Sequence, residues 1–202
     1  MSTAKETIEN LLGAIAAKSP TPGGGAVAAI TSAFAAALGR MVVDYSRSKE
    51  SLQEHRPLLE EALGTLQELQ DSALRLADED AKAFGHLSDL WGLPADDARR
   101  QAEWEGAVAG AIAAPRQIMG VSMSTLRLLE QLAGKTIRAL RSDLAITALL
   151  AEAGVRAAAC NVRINTPLLD DKAEAAELEA EVVGAIQRAA TICNAIQESC
   201  SA

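Results

Sequence analysis

Apolar residues recur every three or four positions along most of this chain, which is the spacing of one face of an α-helix. The pattern predicts seven helices separated by short polar, proline-rich or glycine-rich breaks. Their approximate bounds are 8–15, 26–45, 57–90, 95–113, 116–133, 142–164 and 170–199. Pro115 predicts a kink or break between the fourth and fifth, and Ser142-Asp143 predicts a cap for the sixth. We therefore expect an all-α, single-domain helical bundle over residues 1–202.

The second predicted helix is apolar nearly all round, so we expect it to be buried. A row of small residues follows one of its faces: Gly25, Ala28, Ser32, Ala35 and Gly39. Another helix can approach closely along such a row, either within the bundle or across a subunit interface. Because two-fold pairing is the commonest closed symmetry, we also expect a homodimer.

Composition agrees with this fold and narrows the function. Hydrophobic residues make up 49% of the chain but aromatic residues only 2%, which disfavours a β-sandwich or barrel. The net charge is −8 and no basic, aromatic-bearing stripe is present, so we expect no nucleic acid partner. The N-terminus lacks the pattern of a signal peptide, and no uninterrupted apolar run approaches the length of a membrane span. We expect a cytoplasmic protein without a membrane partner.

Three cysteines and two histidines are too few and too scattered to suggest a zinc site. The cysteines (Cys160, Cys193 and Cys200) show no CxxC spacing and are interpreted as free thiols in a reducing compartment. No metal is therefore expected.

A loop from Ser19 to Gly25 contains two prolines and three consecutive glycines and leads directly into the buried second helix. The backbone N–H groups of Gly23, Gly24 and Gly25 and of the first helical turn offer a site for an anion or another polar ligand. The alternative is a tight turn that only lets two helices cross. The GxxxxGK[ST] phosphate-binding motif is absent.

Four polar residues stand at positions where the packing of a helical bundle does not require a polar side chain. Asp80 lies on the apolar face of the third helix, where an unpaired carboxylate is unfavourable. Asn161 and Asn165 are one turn apart on a face of small and apolar residues. Asp143 stands at the predicted start of the same helix. The alternatives are a buried ion pair or interface contact for Asp80, and capping for Asp143 and Asn165.

Several stretches of the chain resemble one known family. Ser19-Pro-Thr-Pro-Gly-Gly-Gly-Ala-Val-Ala-Ala-Ile is similar to the opening motif of the formiminotetrahydrofolate cyclodeaminase / methenyltetrahydrofolate cyclohydrolase family. Asp80-Ala-Lys-Ala-Phe, Ala114-Pro115, Ser142-Asp143 and Asn161-Val-Arg-Ile-Asn165 resemble later motifs in the same order. The match covers nearly the whole chain. One departure is Gly134-Lys135, where the family usually has Gly-Asn, followed by a longer and more basic stretch to Arg141.

The resemblance implies a dimeric folate enzyme without metal or cofactor, with a tetrahydrofolate derivative as its substrate. We expect a cyclodeaminase, which closes 5-formiminotetrahydrofolate to the 5,10-methenyl form and releases ammonia. The alternatives are a cyclohydrolase and a non-catalytic helical paralogue. Asp143 and Asp80 are the predicted catalytic carboxylates. The predicted substrate-binding residues are Gly23, Gly24, Gly25, Asn161, Asn165 and Arg163. Arg163, or alternatively the basic loop around Arg138, is expected to meet the glutamate carboxylates.

Overall fold

A computed structural model describes residues 3–201 and confirms the predicted all-helical bundle. Six α-helices are present in this range, and no strand is. They are α1 (Ile8–Ala16), α2 (Gly24–Arg47), α3 (Arg56–Trp91), α4 (Ala98–Leu132), α5 (Arg141–Asn165) and α6 (Lys172–Ser201). Short 3₁₀ turns lie at Thr3–Lys5, Glu50–His55, Arg138–Leu140 and Thr166–Leu168.

Pro115 does not interrupt the bundle, so the predicted fourth and fifth helices form the single helix α4. The proline is buried on the core side of this helix, and the chain continues for seventeen residues beyond it, counting from the helix bounds. Proline has no N–H to donate to the carbonyl of Ala111, four residues earlier. That carbonyl instead accepts a hydrogen bond of 2.9 Å from the Asn165 side chain on α5.

The start of α5 also differs from the prediction. The N-cap position is Leu140, which makes no side-chain capping bond, and Ser142 and Asp143 lie inside the first turn. The 3₁₀ turn Arg138–Leu140 leads directly into this helix, which is why the helix begins earlier than the cap-forming residues suggested. The Asp143 carboxylate still lies near the positive end of the helix dipole, where a negative charge is favourable.

The small-residue row of α2 is used inside the subunit. The Ser32 hydroxyl is 2.5 Å from that of Ser122 on α4, and a Cβ added to Gly154 on α5 would overlap both hydroxyls. Small side chains are therefore required where α2, α4 and α5 meet. This contradicts the idea that the same row forms a subunit interface, since its members are buried within one chain.

Helix α2 and the segment Arg138–Leu168 are long and apolar enough, by length and composition, to cross a membrane. The prediction from uninterrupted runs overlooked this, because single polar residues break each run without lowering the mean hydropathy much. More than half of the most apolar part of α2 (56%) is buried against other helices. The core helix of a bundle has this character as well.

Helices α2 and α5 lie side by side in opposite directions. Gly24 at the start of α2 faces Asn161 near the end of α5, and Gly39 further along α2 faces Thr147 near the start of α5. Helices α3 and α4 cover the other sides of α2. This arrangement brings the loop before α2, the last third of α3, the middle of α4 and the end of α5 to one end of the α2–α5 pair.

Candidate functional site

The first turn of α2 starts without a capping side chain. Its N-cap residue is Gly23, which has no side chain to bind the free backbone N–H groups. The first N–H groups of any helix have no acceptor within the helix. Those of Gly24 and Gly25 are therefore available to an acceptor from elsewhere. The preceding loop contains a cis Thr21–Pro22 peptide bond.

Asp80 on α3 places its carboxylate directly against this helix start. A Cβ added to Gly25 would overlap the carboxylate, so the contact exists only because residue 25 is glycine. Asp80 is 9% exposed. Burial raises the pKa of Asp80 above its ordinary value of 3.8, and the nearby N–H of Ala26 partly opposes this increase. The carboxylate thus replaces the missing helix cap and is also poised to take up a proton.

The two predicted amides complete the opposite wall. Asn161 donates from Nδ2 to the carbonyl of Ala157 at 3.0 Å, and its Oδ1 lies 3.4 Å from where a Cβ of Gly24 would be. Asn165 is 4% exposed and donates to the carbonyl of Ala111 on α4. Asn165 is therefore not the helix cap that its position at the end of α5 suggested. It links α5 to α4 across the floor of the site.

These groups line one small pocket. Its walls are formed by four helices and the glycine-rich loop: Pro20, Thr21, Gly23, Gly24, Gly25, Asp80, Phe84, Ala111, Asn161, Ile164 and Asn165. The cavity volume is about 70 Å³, below the roughly 300 Å³ at which pockets for drug-sized ligands begin. Within the chain, this polar pocket is therefore too small to enclose a large ligand.

Asp143 does not lie in this pocket. It is eighteen residues before Asn161 on the continuous helix α5, and at 1.5 Å per residue the two are about 27 Å apart. The loop 134–141, which departs from the family pattern, lies at the same distant end, where the Ile137 N–H donates to Ser46 at 3.1 Å. Within one subunit, Asp80 and the two asparagines converge beside the glycines, and Asp143 does not.

Arg163 lies between the two asparagines in sequence but points away from the pocket. Its guanidinium forms an ion pair with Glu179 on α6, with a shortest N–O distance of 2.5 Å. Hydrogen bonding to this guanidinium lowers the pKa of Glu179. In this conformation the guanidinium is already neutralised by a carboxylate of the same chain.

Sequence reasoning missed several pocket residues. Phe84 lies one helical turn after Asp80, so the shared face of α3 was a sufficient signal for it. Ala111 supplies a carbonyl, and its signal was Pro115, four residues later in the same helix. Ile164 lines the pocket and is 71% exposed, and its place inside the motif Asn161-Val-Arg-Ile-Asn165 was the available signal for it.

The fold and the site together define a class of protein. It is a helical bundle with a small polar pocket, which is lined by the glycine-rich start of α2, one buried carboxylate and two amides. No group of three or more histidine, cysteine, aspartate or glutamate residues that could hold a metal ion occurs in the part of the chain from 3 to 201.

Comparison with known proteins then gives the family. Residues 7–184 match the family model described as formiminotransferase-cyclodeaminase, and the chain belongs to this family. It is 33% identical over 198 residues to a methenyltetrahydrofolate cyclohydrolase of Methylorubrum extorquens, covering 96% of this chain and 95% of that protein. The predicted family is thus confirmed, as is the expectation of an enzyme with one of its two activities.

Two further relatives are more distant. A formimidoyltransferase-cyclodeaminase of Sus scrofa is 29% identical over 181 residues, which are 88% of this chain but only 34% of that longer protein. The crystal structure of formiminotetrahydrofolate cyclodeaminase from Thermotoga maritima superimposes with a TM-score of 0.83 over 98% of this chain and 94% of that one. At 23% identity this likeness establishes the shared fold.

Proposed function

We propose that this protein acts on tetrahydrofolate at the one-carbon bridge between N5 and N10, as a methenyltetrahydrofolate cyclohydrolase. The observation that carries the proposal is the buried Asp80 carboxylate held against the glycine-rich start of α2. Similarity to a cyclohydrolase along nearly the full length of both chains supports this activity over the cyclodeaminase expected from the sequence motifs. Cyclodeamination is the second candidate, supported by the relatives that carry that name.

Both reactions require the protein to stabilise a cation and to transfer a proton. In cyclohydrolysis, water adds to the cationic methenyl carbon and loses a proton. The tetrahedral carbon then expels one ring nitrogen, which takes up a proton. In cyclodeamination, N10 adds to the formimino carbon and loses a proton, and ammonia leaves after gaining one. A carboxylate beside this carbon stabilises the cation and carries the proton from the attacking group to the leaving group.

Asp80 fits this role for a physical reason. Burial raises its pKa, which brings it closer to the operating pH of a proton carrier. The first N–H groups of α2 stabilise the ionised carboxylate of Asp80, so that it can remain in the buried pocket. The amides of Asn161 and Asn165 supply donors and acceptors for the pterin edge. Arg163 is kept as a proposed contact to the glutamate carboxylates, which requires it to leave Glu179.

We also propose that a second copy of this chain completes the site. The outward faces of α2 and α5 carry several exposed apolar side chains, with Phe34 54%, Tyr45 60% and Leu149 48% exposed. This face continues into the pocket at Ile164. A two-fold axis that lies in this face and perpendicular to α5 reverses the direction of the helix, so the partner's Asp143 would lie over the pocket of the first subunit. The second copy then supplies both the missing wall and the second predicted carboxylate.

The reaction is tested by supplying 5,10-methenyl- and 5-formiminotetrahydrofolate separately and following the methenyl absorbance. Loss of the methenyl form, faster than in enzyme-free buffer, supports the cyclohydrolase. Its appearance from the formimino form supports the cyclodeaminase. If neither substrate reacts and neither raises the melting temperature, the proposed function is wrong, because a ligand of the folded state must stabilise it. The expected independence from metal or cofactor, and the cytoplasmic location, stay predictions.

The shared site is tested by mixing Asp80→Asn with Asp143→Asn after dissociation and reassembly. Each variant alone is expected to be inactive. In a mixed dimer, one of the two sites receives both wild-type carboxylates, so random pairing restores about a quarter of the wild-type activity. No recovery, despite mixed dimers detected by mass, contradicts the proposal. A Phe34→Glu variant is expected to be monomeric in sedimentation and inactive.

A further inference from the structure

Pro115 and Asn165 form a linked pair on two different helices. Proline at position 115 leaves the Ala111 carbonyl without its usual partner inside α4. Asn165 Nδ2 lies 2.9 Å from that carbonyl oxygen. A carbonyl oxygen only accepts hydrogen bonds, so the amide must present its NH₂ group there. The orientation of the Asn165 amide is thereby fixed by chemistry.

The other end of the amide is the Oδ1 atom. Among residues 3–201 no hydrogen bond to this oxygen is formed, and it is not one of the fully enclosed polar atoms without a partner. Asn165 is nearly buried, and the pocket beside Asp80 is the cavity that it lines. A side-chain amide that can rotate presents either its NH₂ group or its oxygen to a pocket. Because its NH₂ group is held by the Ala111 carbonyl, Asn165 presents its oxygen, which is an acceptor.

We infer that Asn165 is a specificity-determining residue that accepts a hydrogen bond from an N–H group of the ligand, and that Pro115 is the positioning residue that keeps its oxygen facing the pocket. This rests on the proposed function for the identity of the ligand, since a reduced pterin presents several N–H groups. A ligand carrying only an acceptor at this position is rejected, because two lone pairs would face each other.

The pair is tested first without any folate. In nitrogen-edited NMR spectra, the Asn165 side-chain NH₂ of the wild type should exchange slowly with solvent. In Pro115→Ala the new N–H of residue 115 competes for the Ala111 carbonyl, so the NH₂ signal should shift and its exchange accelerate at least several-fold. An Asn165 signal unchanged by this substitution overturns the inference, whether or not the protein acts on folates.

The second test uses the kinetic constants. Pro115→Ala should raise KM about three- to tenfold with a smaller change in kcat, while its melting temperature stays level or rises, because alanine is the better helix former. Asn165→Asp should raise KM more in the wild type than in the Pro115→Ala background, because there the Ala111 carbonyl already has a backbone partner. If the two substitutions change KM by independent factors that simply multiply in the double variant, the link between Pro115 and Asn165 is refuted.

A matched control separates stabilisation of α4 from the effect on the pocket. Gly120 lies on the exposed face of the same helix, five residues beyond Pro115, and a Cβ there meets nothing within 4 Å. Gly120→Ala should raise the melting temperature and leave KM unchanged. If Gly120→Ala raises KM as much as Pro115→Ala does, the increase in KM is caused by a stiffer helix α4, and the inference is wrong.

Discussion

Replacing Gly25 with alanine is the most direct test of the site, because the structure leaves no room for a single methyl group there. The added Cβ would occupy space now filled by both oxygens and the carboxyl carbon of Asp80. The helix backbone cannot move away easily, since α2 packs against α3, α4 and α5. The Asp80 side chain must therefore turn out of the pocket and lose its position against the first turn of α2.

The size of the effect differs for stability and for activity. Overpacking costs about 1–3 kcal/mol, and the helix preference of alanine over glycine returns up to about 1 kcal/mol. The net loss of roughly 0–3 kcal/mol leaves a folded protein. A displaced proton carrier lowers kcat by about 10²- to 10⁴-fold. We therefore expect Gly25→Ala to be folded and nearly inactive.

The measurement pairs thermal unfolding with turnover of the folate substrate. Gly64→Ala on the exposed side of α3 is the matched control, since a Cβ there meets nothing within 4 Å. This control should be slightly more stable and fully active. Gly24→Ala should lose activity far less, because its Cβ would lie at an ordinary 3.4 Å from Asn161 Oδ1. Wild-type turnover in Gly25→Ala would refute the role of Asp80.

Three other outcomes follow from the same structure. Asp80→Asn should lower kcat about 10²- to 10⁴-fold yet raise the melting temperature at neutral pH. This difference in melting temperature should disappear in acid. Because the pKa of Asp80 is raised in the folded protein, the wild type loses stability only as the pH rises through that pKa. A difference in melting temperature that does not depend on pH would contradict this. Gly154→Ala should cost about 1–3 kcal/mol in urea unfolding, because its Cβ would overlap two serine hydroxyls; an unchanged midpoint contradicts the close packing. Glu179→Gln frees Arg163 and should lower KM for polyglutamylated folate more than for the monoglutamate; equal changes would exclude Arg163 as a carboxylate contact.

The sequence predicted the fold well because helical periodicity is a local signal. The bounds of α3 and α6 agree with the prediction within two residues. Pro115 was interpreted by its local effect alone, as a break. The tertiary contact that replaces its missing bond comes from Asn165, fifty residues later, and no local pattern carries that information.

The candidate site was predicted in part for a related reason. Asp80 and Asn161 stood out because each polar side chain lies on an otherwise apolar helical face. That signal identifies a residue in an unusual environment, but it does not say which residues meet. Asp143 was grouped with them as a further polar residue and by resemblance to the family, but it lies eighteen residues before Asn161 on the continuous helix α5, so the two are at opposite ends of that helix.

Three violations of ordinary helix rules meet at this pocket. A helix begins at Gly23 without a capping side chain, a carboxylate is buried on the apolar face of α3, and a proline stands inside α4. Each would be unfavourable alone, but they offset one another. Asp80 replaces the cap, the helix start stabilises its charge, and Asn165 binds the carbonyl that Pro115 releases. Each offset also holds a polar group at the pocket wall, so the features that hold this corner together are those that we propose to bind the substrate.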